Sequence, residues 1–574
     1  MEYKWVKKKE VAFSEYESLK NELAIPDVIA KMLISRGVNS FDEAKEFFRP
    51  RLENLHDPFL LKDMDKAADR LVKSIKNNEK IIVYGDYDVD GTTSVSMMTH
   101  FLRTYSDCIV EYYIPDRYSE GYGVSEKFID SLEAKKSHLV ITLDCGIRAV
   151  ELIEKGSKHG VDFIICDHHE PGEKLPPAYA ILDPKRKDCD YPFDGLSGCG
   201  VGFKLIQAVL IKLEMDESLA YQYLDFLTIS IGADIVPIND ENRILAFHGL
   251  VEINSNPRPG IKSILSLAGL KRAELTIEDV VFVIAPRINA AGRIKHAFAA
   301  VEMLLAHSEA EAASVCQDIE GYNKERRSVD KEITAEALQS VKSDTFYLNS
   351  HSTVVWKEGW HKGVIGIVAS RLIENYYKPT IVLTEKDGVA TGSARSVKGL
   401  DIHKLLIETG DLLIKYGGHE MAAGLSIKSE NLPEFRDQFE QAVKKETGEK
   451  LFSPEMDVEI ELDFEDITAK LYRLIHQFSP FGPKNMTPLF ITRNVEDAGY
   501  SKLVGETKDH LKLTLKQPAS GDIYFSGIAF KQADKFEHLK SGQAVDIVYA
   551  IGMNEWNGKK TLQLEVRDIK PSVI

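Results

Sequence analysis

KIIVYGDYDVDGTTS, residues Lys80–Ser94, is the stretch on which the fold turns. Its first five residues form a short continuous apolar run, the pattern of a strand buried on both faces. The run stops at an acidic, glycine-bearing loop, Gly85–Gly91, and a helix-like pattern, Thr92–Tyr105, follows. Moving outward, the alternation repeats, with strands predicted at Cys108–Ile114, Leu139–Leu143 and Val161–Cys166 and helices at Val124–Ala134 and Ile147–His159. Strands alternating with helices in this order predict a mostly parallel α/β sheet covered by helices.

Beyond Gly200 the pattern becomes mainly helical, and the charged stretch Asn323–Glu332 reads as part of a long connecting helix. A second α/β unit starts at Ser352–Trp356, continues through a strand at Thr380–Leu383, and carries glycine-rich Gly392–Ser396 and Gly417-Gly418. The last stretch alternates short β patterns, His510–Leu515, Ile523–Phe530, Ala544–Ile551 and Thr561–Val566, which predict a small OB-like barrel. The expected division is a helical segment over 1–65, a catalytic α/β domain over 66–320, a connecting helix over 321–345, a second α/β domain over 346–448 and a barrel over 449–574.

A chain of 574 residues is too long for one core. With 44% hydrophobic and 28% charged residues, a polar start at Met1–Lys9 and no bilayer-length apolar stretch, it reads as soluble and cytoplasmic. Six cysteines without CxxC spacing read as reduced core thiols. A formal net charge of −17 excludes a protein that coats nucleic acid by bulk electrostatics, so any such contact needs a local basic groove.

Parallel sheets place ligands at the carboxyl ends of their strands, and the polar clusters lie at predicted strand ends. Asp86, Asp88 and Asp90 fall at i, i+2 and i+4, which points them one way if the segment stays extended past its strand, with Gly91 permitting the turn into the helix. Like charges so gathered repel unless cations neutralise them. An isolated DxDxD is as readily a solvated acidic turn. Here two more strand ends carry ligand-type groups, Asp144 in ITLDCG and Asp167-His168-His169 after FIIC. Asp234 in IGADIVP ends a long apolar run, where a buried carboxylate needs a metal or an arginine as partner. Mixed carboxylate and imidazole donors suit manganese or a similar transition metal better than calcium.

GDYDVDGTTS, LDCG, CDHH and GADIVP, in this order and spacing, resemble the four metal motifs of the DHH phosphoesterases. PDRYSEGYG (Pro115–Gly123), LSGCGVGFKL (Leu196–Leu205), APRINAAGR (Ala285–Arg293), WHKGVIGIVASRL (Trp360–Leu372), TGSARS (Thr391–Ser396) and GGHEMAAGLSI (Gly417–Ile427) are similar to the RecJ branch. FSPFGPKNMTPLF (Phe478–Phe490) matches more loosely. The resemblance implies DHH and DHHA1 domains joined by a long helix, with an OB-fold-like barrel behind them. It implies two divalent ions, Mn²⁺ before Mg²⁺, one held by Asp86, Asp88 and Asp144, the other by Asp90, Asp144, His168 and Asp234. His169 would touch the scissile phosphate, and Asp167 would orient an imidazole. Arg117, Arg287, Arg293, Ser393 and Arg395, in the matching motifs, are the candidates for binding a chain-end phosphate. His361 and the Gly417-Gly418-His419 segment would approach the DNA backbone. Tyr118, Tyr122 and Trp360 are weaker candidates for base stacking.

The implied activity is metal-dependent 5′→3′ hydrolysis of single-stranded DNA to 5′ mononucleotides in recombination and repair. The implied partners are a RecQ-type helicase and a single-strand-binding protein, for a monomeric enzyme. Two other readings share the motifs. One is a DHH phosphodiesterase acting on short oligoribonucleotides or cyclic dinucleotides; the other is a non-catalytic RecJ-like replication scaffold. Length and the C-terminal β region disfavour the phosphodiesterase, and the intact ligand set disfavours the scaffold. Cys199 stands where relatives often have a smaller residue.

Overall fold

The computed structural model describes residues 2–270, 274–448, 452–556 and 558–572. Within them, one unit holds Glu2, His56–Val236 and His248–Pro454, and a second holds Tyr3–Leu55, Pro237–Phe247 and the chain from Glu455 onward. The expected boundary at 449–451, the start at Met1 and the end at 573–574 lie outside the described residues.

In the first unit, Lys80–Tyr84 lies in the strand β1 (Lys80–Gly85), and α1 (Val89–Tyr105) follows it. Next come β2 (Ile109–Tyr113), α2 (Glu126–Lys135), β3 (Leu139–Leu143), α3 (Val150–Ser157), β4 (Asp162–Cys166) and β5 (Ala180–Leu182). The sheet order is β2-β1-β3-β4-β5, parallel throughout. Ile82, Val140, Phe163 and Ile165 pack with Phe128, Ile129 and Ile153 of the helices on one face. α1 is buried along most of its length although it is rich in Ser and Thr. Hydroxyls of Thr93, Ser94 and Ser96 bond back to the carbonyls of Val89, Asp90 and Thr92 one turn earlier at 2.7 Å, so these three are buried with their donors met, unlike Thr99 Oγ1 further along the helix.

The three aspartates do not gather by alternation along an extended chain, as their spacing had implied. Asp88 caps α1, its carboxylate accepting from Gly91 N at 3.0 Å, and Asp90 is already helical. Nor does Gly91 make the turn. It lies inside the helix, where a Cβ would come within 2.4 Å of the Asp86 carbonyl oxygen. The glycine lets the first helical turn press against the strand end, and that contact gathers the carboxylates.

α4 (Gly198–Lys212) packs against β3, β4 and α1, α5 (Leu224–Ala233) packs against α1 and α4, and α6 (Ala285–Ile294) precedes α7 (Glu309–Ser343). α7 is 35 residues long, capped by Ser308, and starts well before the charged stretch that announced it. Then β6 (Thr353–Glu358), α8 (Ile365–Tyr376), β7 (Thr380–Lys386), β8 (Val389–Arg395), β9 (Leu413–Gly418), β10 (Ala422–Lys428) and α9 (Leu432–Thr447) build a mixed sheet of order β9-β10-β8-β7-β6. Val355 and Val382 pack on α8 and on Ile333 and Ala337 of α7; Ile381, Leu425 and Ile427 pack on Phe435 and Phe439 of α9.

In the second unit, strands 490–497, 545–556, 559–571, 524–529 and 510–516 pair in that order, and the last pairs back to the first. This closes a barrel around Phe490, Leu513, Tyr549 and Ile569. Residues 3–55 form no separate segment. Strand Lys4–Lys7 pairs with Glu455–Val458, and Leu19, Ile29 and Leu33 of the N-terminal helices enter the barrel's core. Arg243 fastens the short piece 237–247 by donating to the carbonyls of Phe47 at 2.9 Å and Phe478 at 2.8 Å.

All six cysteines carry free thiols, Cys145, Cys166, Cys199 and Cys316 buried and Cys108 and Cys189 half-buried. No helix among the described residues is long and apolar enough to cross a membrane.

Candidate active site

Three adjacent strands of the parallel sheet deliver the site. Asp86 follows β1, Asp144 follows β3, and Asp167-His168-His169 follow β4. Asp90 comes from the first turn of α1 and Asp234 from the end of α5. Asp144 adopts a left-handed φ of 60°, which short polar residues tolerate better than most. Gly198, the first residue of α4, sits so close that a Cβ there would lie 2.6 Å from that of Asp144. The same helix start holds Asp90, whose oxygens accept from Gly198 N at 2.7 Å and Cys199 N at 2.9 Å, with Ser230 Oγ at 2.7 Å.

His168 Nε2 is the centre of the group, 3.2 Å from Asp144 Oδ1, 3.6 Å from Asp234 Oδ2 and 3.8 Å from Asp90 Oδ2. His169 Nδ1 stands 2.7 Å from Asp167 Oδ1 and 4.0 Å from Asp144 Oδ1. Asp167 also accepts from the backbone of Ile147, His168 and His169, so it positions the imidazole loop from beneath. Asp234 departs from expectation, because it ends the apolar helix at its rim and leaves 32% of its side chain exposed.

Burial, then repulsion from neighbouring acids, pushes the carboxyls of Asp86 and Asp144 well above the usual carboxylate range, and Asp234, although its edge meets solvent, is raised by desolvation on its inner side and by the nearby Asp90 and Asp88. Burial lowers the His168 imidazole. His169 is likewise opposed by burial, yet its bond to Asp167 and the surrounding acids raise it to about 9. Among the described residues, buried Asp144 Oδ2 and His168 Nε2 have no hydrogen-bond partner. Orphaned donor atoms facing crowded acids fit divalent cations. Asp144, His168 and His169, and separately Asp90, His168 and Asp234, each bring ligand atoms within 4.8 Å of one another. Tyr122, only a stacking candidate in the sequence, bonds His169 Nε2 at 3.0 Å. Ser197 and Ser230, which brace Asp90, carried no signal of their own.

Basic residues gather nearby in the same unit. Arg117 stacks over Tyr87 at 4.0 Å and donates to Gly292 O. Arg293 donates to Gly363 O at 2.8 Å and its own carbonyl accepts from Tyr118 OH. Arg395 Nη1 donates to Ser393 Oγ at 2.8 Å, both side chains lying against Gly366 in the first turn of α8. Burial and the like charges of Arg117, Arg326 and Arg395 push Arg293 down to about 9. Such a cluster of guanidiniums fits an anion. Arg287 stands differently, for Glu320 pairs with it at 2.7 Å. His361 packs edge-on to Tyr118, and His419, beyond Gly418 at φ 151°, stacks over His169 with ring centres 6.3 Å apart. Trp360 is buried and bonds Glu336 at 2.7 Å, so it is a core residue with no face free to stack on a base.

Known proteins match this arrangement along the chain. Family models match as the DHH family N-terminal domain over residues 80–231, the DHHA1 domain over 349–445 and the RecJ OB domain over 458–568. A single-stranded-DNA-specific exonuclease RecJ of Bacillus subtilis is 38% identical over 96% of this chain and 69% of its own. The chain belongs to the RecJ family. A RecJ of Dickeya dadantii, 31% identical, is covered over 96% of both chains. A crystal structure of exonuclease RecJ bound to manganese is 30% identical, with a TM-score of 0.59 over 67% of this chain and 95% of that one. The RecJ fold is also that of the Thermus thermophilus crystal structure with Mn²⁺, at a TM-score of 0.84, 24% identity, and coverage of 100% of this chain and 80% of that chain.

Proposed function

We propose that this chain is a metal-dependent exonuclease that hydrolyses single-stranded DNA from its 5′ end and releases 5′ mononucleotides. The observation that carries the reading is the buried acid and imidazole cluster with orphaned ligand atoms, set in one unit with a guanidinium cluster. Asp86, Asp88 and Asp144 would hold one divalent ion, and Asp90, Asp144, His168 and Asp234 the other, Mn²⁺ or Mg²⁺. When bound, such a pair supplies Lewis acidity toward water and the scissile phosphodiester.

The chain's own residues do the rest. Asp167 accepts the Nδ1 proton of His169 and so turns Nε2 toward the space where a phosphate oxygen would lie, with Tyr122 OH as its present partner. Arg117, Arg293, Ser393 and Arg395 hold the 5′ phosphate by charge-assisted bonds, which fixes the distance from the strand end to the scissile bond. Arg287, tied to Glu320, supports the helix that presents Arg293. His361 and His419 line the DNA path from the second sheet. We further propose that it works beside a RecQ-type helicase and a single-strand-binding protein in the cytoplasm, as a monomer, a reading whose support is its likeness to single-stranded-DNA-specific RecJ exonucleases.

A time course with Mn²⁺ on single-stranded DNA labelled at its 3′ end, beside matched duplex, short RNA and cyclic dinucleotide, tests the reading. Progressive shortening of the single strand with duplex spared is expected. Cleavage confined to short RNA or cyclic dinucleotide would overturn it.

A further inference from the structure

α7 carries a charge that nothing among the described residues fully answers. Asn323 is buried within it, and Arg326, one turn on, donates from Nη2 to Asn323 Oδ1 at 3.0 Å. The Nε of Arg326 is buried, and among the described residues it finds no acceptor. Its surroundings add to the excess of positive charge. Arg327 and Arg371 are like-charged neighbours, Arg287 belongs to Glu320, and Arg293 stands within electrostatic reach. The acid that faces Arg326 is Asp330, and Asp330 is also 3.9 Å from Arg371 and bonded by Thr334. A guanidinium presents five N–H donors in a fixed fork, and burying one unmet is costly unless an anion arrives to accept it.

We propose that Arg326 is a phosphate-binding residue, its buried Nε edge taking an oxygen of the DNA strand's 5′-terminal phosphate alongside Arg293 and Arg395. This rests on the reading of the guanidinium cluster as the end pocket. It adds a residue on the helix that runs from the DHH domain to the DHHA1 domain, so the occupied pocket ties the two domains through α7. In the free protein the same residue is a liability, since its Nε–H is buried without an acceptor among the described residues while Arg327, Arg371 and Arg287 repel it. Function and stability therefore pull in opposite directions at this position.

The test compares Arg326→Met, Arg326→Lys and Arg395→Ala on strands differing only in a 5′ phosphate or 5′ hydroxyl. Arg326→Met is expected to raise KM for the phosphorylated strand about tenfold, the loss of one charged hydrogen bond, with kcat within about twofold. KM for the hydroxyl strand should hold. The thermal midpoint without DNA should rise, whereas loss of a merely structural arginine would lower it. Arg326→Lys keeps the charge but not the Nε donor, and is expected to lose part of the phosphate preference. An unchanged preference in both Arg326 variants, with Arg395→Ala losing it, overturns the role of Arg326 and leaves the pocket standing. Unchanged preference in all three overturns the pocket and Arg326 with it. Equal losses on both strands, with a lowered midpoint, overturn the proposal in favour of a packing role.

Discussion

Asp144 holds the site's conflict in one residue: a left-handed backbone, a carboxyl pushed upward by burial and by Asp90, Asp88 and Asp234, and an oxygen with no partner. Replacing it removes a ligand and a repulsion together. Asp144→Asn, which keeps a short polar side chain at the left-handed φ, should all but abolish cleavage while stabilising the metal-free protein by about 1 kcal/mol, because crowded buried acids destabilise the fold that holds them. Differential scanning calorimetry in chelator reads the second effect, and an unchanged or lower midpoint would contradict it. Asp167→Asn leaves the shape of the loop but disturbs the His169 tautomer, and should slow single-turnover cleavage by about 10–100-fold at saturating metal. A rate within about twofold of the parent would remove Asp167 from the machinery. At this scale the identities of the acids and histidines were readable, since ionisable residues at apolar strand ends are conspicuous. Tyr122 and the serines that brace Asp90 were not, because a hydroxyl's partner is decided by tertiary contact alone.

Among the elements, the parallel strands were legible because buried strands write continuous apolar runs, and KIIVY, LVITL and DFIIC do. The geometry of DYDVD was misread for a reason of the same kind. Alternation of side chains holds only in extended chain, and the helix had begun by Val89. The strand-to-helix turn depends on backbone contact at Gly91, so Gly91→Ala is expected to cost about 1–3 kcal/mol by overpacking. It should also weaken Mn²⁺ binding measured by titration calorimetry, since Asp86 and Asp88 flank the displaced backbone. Metal should in turn stabilise the parent protein by about 2.7 kcal/mol at a hundredfold excess over Kd, a shift that chelator reverses in a thermal scan.

For the whole molecule, the surprise lay in long-range partnership. No local pattern announces that Leu19, Ile29 and Leu33 share a core with Phe490 and Tyr549, since an amphipathic helix does not name what covers it. Truncation after residue 451 is consequently not a clean removal of a barrel. It strips the N-terminal helices of their cover, at about 1.5–3 kcal/mol for each fully buried apolar side chain, and limited proteolysis should find residues 13–48 cut rapidly. Survival of that region would show that it folds alone. The same discontinuity sets a timetable during biosynthesis. Between Leu55 and Glu455 lie the 399 residues 56–454, and at about 5–20 residues per second a ribosome needs roughly 20–80 s to deliver them. For that interval Leu19, Ile29 and Leu33 have been made but the barrel strands that cover them have not, so their apolar faces stay open to water or to other apolar surfaces.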